Sequence, residues 1–273
     1  MSVASPPWRD LIVAAEDAGA RLLRQDMNTA QFELNVPRPG GPPRLIYLDV
    51  VFEDGLFRVR ETKPVLLPAF CPELHIESTS LWCLGDTDFD MDLHVADAAT
   101  AHVWWAKVFE FCRVALRSKF TGVWIGPQSA HGGASHYERH AENAAWRVSV
   151  ELGRACKASR LSVVESKSRS RRVIKLINEE VVVASGFLIQ PGDSSLRTPD
   201  EYRLIGRQRE CPCPKGGLRN HRALRQCEDH ENQFAVLLWA LRLKHIEEQK
   251  FWDICKQAGH TCCGYMKACP LRR

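Results

Sequence analysis

An α+β fold with a mostly antiparallel sheet is predicted by three features of the first 120 residues: a helix-spaced N-terminal stretch, extended runs split by turn signals, and a long amphipathic helix. Residues 8–24 set Leu11, Ile12, Ala15, Ala18, Leu22 and Leu23 near helical spacing, and Pro7 suits a first turn, so this stretch reads as one helix. Residues 31–36, 44–52 and 57–61 are extended runs rich in Leu, Ile, Val, Phe and Tyr. PRPGGPP separates the first two and Glu53-Asp54-Gly55 the next, and strands joined so closely pair as an antiparallel meander.

Residues 67–85, LPAFCPELHIESTSLWCLG, break the pattern. Pro68 and Pro72 remove two backbone donors and fix φ, so the run is irregular chain crossing the end of the sheet. After an acidic stretch without period, residues 98–116 place Val103, Trp104, Val108, Phe111, Val114 and Ala115 largely on one face, a buried helix packed behind the sheet. Residues 137–158 read as one further helix that closes the first domain. Residues 161–165 and 172–190 are β-prone, with Asn178-Glu179 as a turn. The basic SKSRSRR between them reads as a solvated hairpin tip, since no aromatic residue within it offers a stacking platform. Residues 229–256 form a helix with a stripe of Phe234, Leu237, Leu238, Leu241 and Trp252.

A chain of 273 residues is longer than one domain needs, and the expected division is residues 1–157 and 158–273. Charge divides as well: residues 1–120 hold 12 Lys and Arg against 17 Asp and Glu, net −5, and the remainder nets +9. No 18-residue apolar run occurs, and MSVASPPWRD lacks the charged-then-apolar pattern of an export signal. The expectation is a soluble, cytoplasmic protein with no membrane partner, whose cysteines serve metal ligation and thiol chemistry rather than disulfides.

Of the 11 cysteines, Cys71, Cys83, Cys112 and Cys156 stand singly, while seven crowd the last 63 residues. Cys112 lies on the apolar side of its helix and reads as a small buried hydrophobe. Gly85, two residues after Cys83, permits close approach by another chain, whereas Cys71 sits between Phe70 and Pro72 without such an opening. Cys83 is therefore the candidate nucleophile. An ordinary thiol, with a pKa near about 8.5, is a few per cent thiolate at neutral pH, which suffices to attack an activated thioester.

A Pro-rich stretch after the third strand, leading through a His-containing turn to a cysteine followed by Leu, resembles the active-site segment of ubiquitin-conjugating enzymes, and most closely their divergent bacterial members. The order of helix, meander, irregular crossing and central helix adds to the likeness. The resemblance implies a ubiquitin-conjugating-like domain followed by a β-hairpin and a cysteine-rich, zinc-binding helical module. It also implies an enzyme in which Cys83 accepts a ubiquitin-like protein, as a thioester, from a ubiquitin-activating-type enzyme. A lysine of a protein substrate then takes the acyl group. His75 carries over as the residue that orders the turn. The family's common His-Pro-Asn is His75-Ile76-Glu77 here, which leaves the oxyanion donor unassigned, and Asp86, with Asp88, is the candidate to steer and deprotonate the lysine. Bacterial relatives are often encoded beside an activating enzyme and a ubiquitin-like protein, or within antiphage defence systems.

Two other classes stay open: a conjugating fold kept as a binding module without thioester chemistry, and a zinc-dependent nucleic-acid-binding protein. A moderate, scattered positive charge is poor support for a phosphate track, so nucleic acid is not an expected partner.

Cys211-Pro-Cys213 followed by Cys227 and His230 offers the thiolates and imidazole that close a tetrahedral structural zinc site. The motif resembles the zinc module at the C-terminus of the SecA translocase, with a longer gap before the third ligand. Cys255, Cys262, Cys263 and Cys269 are expected to supply a second set, with His260 as a further candidate, so one or two structural Zn²⁺ ions are expected.

Overall fold

The computed structural model describes residues 8–38, 41–85, 93–126, 130–168, 171–188, 202–204, 209–210, 218–219 and 228–272. The chain divides into two compact units, one built from residues 1–129 with 254–273, the other from residues 130–253. The division thus precedes residues 137–158, which had been expected to close the first domain, and the last twenty residues return to the first unit.

The first unit opens with α1 (Trp8–Asp17), which buries Trp8, Leu11, Ala14 and Ala15. The helix is shorter than its spacing predicted. Gly19, at φ +76°, ends it, and the chain continues into a strand, β1 (Ala20–Gln25), that buries only Ala20. The meander follows as β2 (Thr29–Arg38), β3 (Gly41–Glu53) and β4 (Leu56–Glu61), giving a four-stranded antiparallel sheet in the order β1-β2-β3-β4. The turn at Asp54 and Gly55 has positive φ at both residues, 52° and 78°, as a tight hairpin requires.

Register fixes which side chains face the core. Phe32 lies opposite Leu48, Leu34 opposite Ile46, and Val50 opposite both Ala30 and Val59, so one face of the sheet is apolar and buried. Glu61 lies opposite Leu48 on that same face. Over it packs α2 (Ala98–Thr121), started by a reciprocal hydrogen-bonded cap between Asp97 and Thr100 and ended by Gly122 at φ 75°. The Trp105 indole N–H donates to the Leu11 carbonyl at 2.8 Å and the Trp104 indole to the Phe57 carbonyl at 3.3 Å, so this helix is pinned to α1 and to the sheet.

In the second unit the expected single helix is two, α3 (Ala134–Val148) and α4 (Val150–Lys157). Ser149 is extended between them, at φ −163° and ψ 155°, and its hydroxyl accepts from the Leu152 N–H at 3.1 Å, so it caps the second helix where periodicity alone would have run through. The two β-prone runs form β5 (Leu161–Ser168), β6 (Arg171–Asn178) and β7 (Val181–Leu188). Together with β8 (Tyr202–Leu204) they make a four-stranded antiparallel sheet rather than a lone hairpin. β9 (Arg209–Glu210) and β10 (Leu218–Arg219) pair separately. The long α5 (Glu228–Gln257) contributes Phe234, Leu237 and Leu238 to a core shared with Ala141, Ala145 and Leu152, which is why residues 137–158 belong to this unit. Among the described residues no helix is long and apolar enough to cross a membrane.

Candidate functional site

The segment after β4 is held by a residue that no sequence motif marks. β4 alternates in burial, so Glu61 at its end points inward and is 7% exposed. Its carboxylate accepts from the backbone N–H groups of Val65, Leu66 and Leu67 at 3.1, 2.9 and 2.9 Å. Three charge-assisted bonds supply what a carboxylate taken out of water needs, and they fix the start of the proline-rich stretch. Lys119 near the end of α2 donates to the Leu66 carbonyl at 2.6 Å and lies 4.1 Å from the centre of the Tyr265 ring.

Beyond Pro68 the chain makes a compact set of short bridges around a single 3₁₀ turn, Pro72–Leu74. Cys71 and Ile76 exchange backbone hydrogen bonds at 3.1 and 3.0 Å, Ile76 bridges to Trp82, and Leu81 bridges to Arg60 at the edge of β4. The Trp82 N–H donates to the Val59 carbonyl and the Cys83 N–H to the His75 carbonyl, at 2.9 and 2.8 Å. His75 takes the left-handed conformation, φ 55° and ψ 40°, that reverses the chain after the turn. Its backbone therefore orients Cys83, and its ring lies 4.6 Å from that of Trp124. Trp82 stacks on Phe111 of α2 at 4.9 Å with 18° between planes, which seats the residue before the cysteine on the core.

Accessibility separates the thiols. Cys83 is half-buried, and its Sγ lies 3.6 Å from the Gly85 carbonyl oxygen. Cys71 and Cys112 are buried, at 1% and 0% exposure. Burial pushes the Cys112 thiol up, with the Glu61 charge adding to it, and burial likewise raises Cys156 to about 12. Both are poor nucleophiles at neutral pH. Asp86 and Asp88 lie outside the described residues.

The C-terminal thiols are arranged differently from the expected set. Cys211, Cys213 and Cys227, like the side chain of His230, lie outside the described residues. Among the described residues no group of three or more His, Cys, Asp or Glu side chains is arranged to hold a metal ion. Instead Cys263 meets Cys71, 192 positions earlier, with Sγ atoms 2.8 Å apart. The hydrogen bond from Cys71 is the largest influence holding the Cys263 thiol below its ordinary value, helped by the backbone N–H groups of Tyr265 and Met266, and the same bond drives Cys71 up. Cys269 is raised to about 11, by burial first and then by the neighbouring Cys262 thiol.

The second unit carries ion pairs that periodicity could not reveal. The Glu248 carboxylate accepts from the His131 main chain at 2.8 Å and from the Trp252 indole at 3.0 Å, and meets His131 Nδ1 at 2.5 Å. Lys244 pairs with Glu138 at 2.6 Å, and Arg242 pairs with Glu165. These last four side chains line a cavity of about 550 Å³ bounded also by Cys156 and Leu161.

Burial alone would raise the Glu248 carboxyl, but its bonds from His131 and Trp252 carry it below the ordinary 4.5. The unfolded chain then binds that proton more tightly than the folded one. The stability due to Glu248 is present above about pH 4.5 and is lost as pH falls through the lower folded value. Urea titrations of wild type and Glu248→Gln between about pH 7 and 3 should show the variant weaker at neutral pH by about 1–3 kcal/mol, with a flatter acid limb. Parallel acid limbs would contradict this assignment.

A family model described as a prokaryotic E2 domain matches residues 19–126, and one described as a cysteine-rich domain, C-terminal to an E2 domain, matches residues 130–271. No curated protein and no solved structure matches the chain.

Proposed function

The chain belongs to the prokaryotic E2 family in which a cysteine-rich domain follows the E2 domain, and from that premise we propose that Cys83 accepts a ubiquitin-like protein as a thioester and passes it to an amine of a protein substrate. The observation that carries the reading is the setting of Cys83. It is half-exposed, its N–H is tied to the His75 carbonyl, and its neighbour Trp82 is stacked on Phe111, while Cys71 and Cys112 are enclosed. The thiolate attacks the acyl carbon of the thioester on an activating enzyme: a new C–S bond forms, the old one breaks, and the activating enzyme's thiolate leaves. The lysine amine attacks the new thioester in the same way, losing a proton and releasing the Cys83 thiolate. Asp86 is the residue assigned to receive that proton, and His75 orders the turn through its backbone. Wild-type protein mixed with an activating enzyme and ubiquitin-like protein pair of the bacterial type, plus ATP, should form a conjugate that thiol reductant cleaves. Failure of all such pairs to charge it would favour a binding module instead.

The cysteine-rich domain is compatible with zinc, and Cys211, Cys213, Cys227 and His230 are the residues that would hold one structural ion. Zinc would supply folding free energy to the segment that holds it. Elemental analysis of protein purified without added metal should give about one zinc per chain, reduced to near zero in Cys211→Ser/Cys213→Ser. A metal content that those substitutions leave unchanged would contradict the ligand set.

A further inference from the structure

Cys71 and Cys263 are used by neither the proposed thioester chemistry nor the proposed zinc site, yet they touch. Their sulfurs, 2.8 Å apart, are nearer than ordinary van der Waals contact between unbonded sulfur atoms, and they join segments 192 positions apart. The approach is built into the surroundings. His260 stacks on Phe70 with ring centres 4.1 Å apart, the Lys267 N–H donates to the Gly122 carbonyl at 2.8 Å, and Met266, Cys269 and Leu271 are buried. A Cβ placed on Gly122 would stand 2.9 Å from the Lys267 side chain, so α2 and the C-terminal segment are fitted closely here. Cys263 is half-buried, whereas Cys71 is buried. That is the arrangement of an attacking thiol with a resolving partner.

We propose that Cys71 and Cys263 are a peroxide-responsive pair that closes a reversible disulfide, fastening the C-terminal segment to the segment that bears Cys83. In the first step the Cys263 thiolate attacks one oxygen of hydrogen peroxide. An S–O bond forms, the O–O bond breaks, and the departing hydroxide takes a proton to leave as water. In the second step the Cys71 sulfur attacks the Cys263 sulfenic sulfur: the S–S bond forms, the S–O bond breaks, and the hydroxide leaves as water with the Cys71 proton. Two thiols lose two electrons and one peroxide becomes two waters. A dithiol reductant reverses the reaction by exchange. The contact geometry favours the bond, because the sulfurs need only a small side-chain movement to meet. Cys71 exchanges two backbone hydrogen bonds with Ile76, the residue after His75, whose carbonyl holds Cys83, so the cross-link acts on the same short ladder. Only this last consequence rests on the thioester reading; the cross-link does not.

Full-length, reduced, metal-equilibrated protein would be treated with graded hydrogen peroxide, blocked with N-ethylmaleimide and digested with Glu-C plus trypsin without reductant. Glu-C cleavage at Glu73 and Glu77 separates the fragment carrying Cys71 from the one carrying Cys83. The expected product is a single cross-linked pair joining the Cys71 fragment to the Cys262-Cys263 fragment, released by dithiothreitol. Cys263→Ser should abolish it, Cys262→Ser should leave it in place, and Cys71→Ser should leave a sulfenic acid that dimedone captures on the C-terminal fragment. Circular dichroism would exclude variants that fail to fold, and the exposed-side Cys263→Ser then decides alone. A cross-link surviving in Cys263→Ser would overturn the proposal. So would a zinc ion, beyond the one assigned to Cys211, Cys213, Cys227 and His230, that shields both thiols from peroxide and is lost in Cys263→Ser. None of these outcomes depends on whether Cys83 can be charged.

Discussion

Cys83→Ala is expected to form no thioester with a ubiquitin-like protein under conditions in which the proposed function has wild type charged and Cys71→Ala charged nearly as well. Removing the nucleophile itself costs about 10⁴-fold or more, which an end-point gel reads as complete loss. Cys71 is a demanding control, because it lies in the same proline-rich segment and is the other thiol beside the turn. It is 1% exposed and its proton is held up by the contact with Cys263, so it cannot serve as the acceptor in the folded protein. Unchanged charging of Cys83→Ala would remove the assignment, and transfer of the defect to Cys71→Ala would reassign it.

The second large effect is expected at Glu61. Glu61→Ala leaves the N–H groups of Val65, Leu66 and Leu67 without the carboxylate that now accepts from them, and the Leu67 bond is fully buried. Each stranded donor costs about 1–3 kcal/mol, and water entering the space recovers part of this, so a net loss of about 3 kcal/mol is expected. For a unit of this size that lowers the melting temperature by about 10 °C. The cost falls on the start of the segment that ends at Cys83, so charging should slow even at temperatures where the variant remains folded. Glu61→Gln keeps one acceptor oxygen and should fall between. A melting temperature within about 1 °C of wild type for Glu61→Ala would show that the segment is anchored elsewhere.

Much of the first unit was legible in the sequence, for physical reasons that differ from element to element. β2, β3 and β4 announce themselves by alternation, because one face of each is core, and the Asp54-Gly55 turn supplies positive φ where a hairpin needs it. α2 is visible in its 3.6-residue stripe. β1 reads as helix in the sequence because an edge strand that buries only Ala20 has no alternation to display, while Leu22 and Leu23 extend the helical spacing of Leu11 and Ala15. α3 and α4 read as one helix in the sequence because both bury small residues in one core, and only the Ser149 cap interrupts them.

The candidate cysteine is marked in the sequence, and the contacts that hold its segment are not. Proline placement and Gly85 single out Cys83 by local rules alone. Glu61 carries no local mark beyond being a charged residue at an inward strand position, a signal visible only once the register is known. The contact between Cys71 and Cys263 joins residues 192 positions apart, which no periodicity encodes. Spacing groups Cys263 with Cys255, Cys262 and Cys269 and carries no sign of its contact with Cys71.

The measurement that tests the central claim most directly is the location of the acyl group. Cys83→Ser should be charged slowly and trap an oxygen ester, because the hydroxyl occupies the same place but is a poorer leaving group than the thiol. Isolated in the presence of reductant and digested with Glu-C, that conjugate should carry the C-terminal residues of the ubiquitin-like protein on the fragment spanning position 83 and on no other. Attachment at a lysine, or on the fragments holding Cys71, Cys262 or Cys263, would contradict the account.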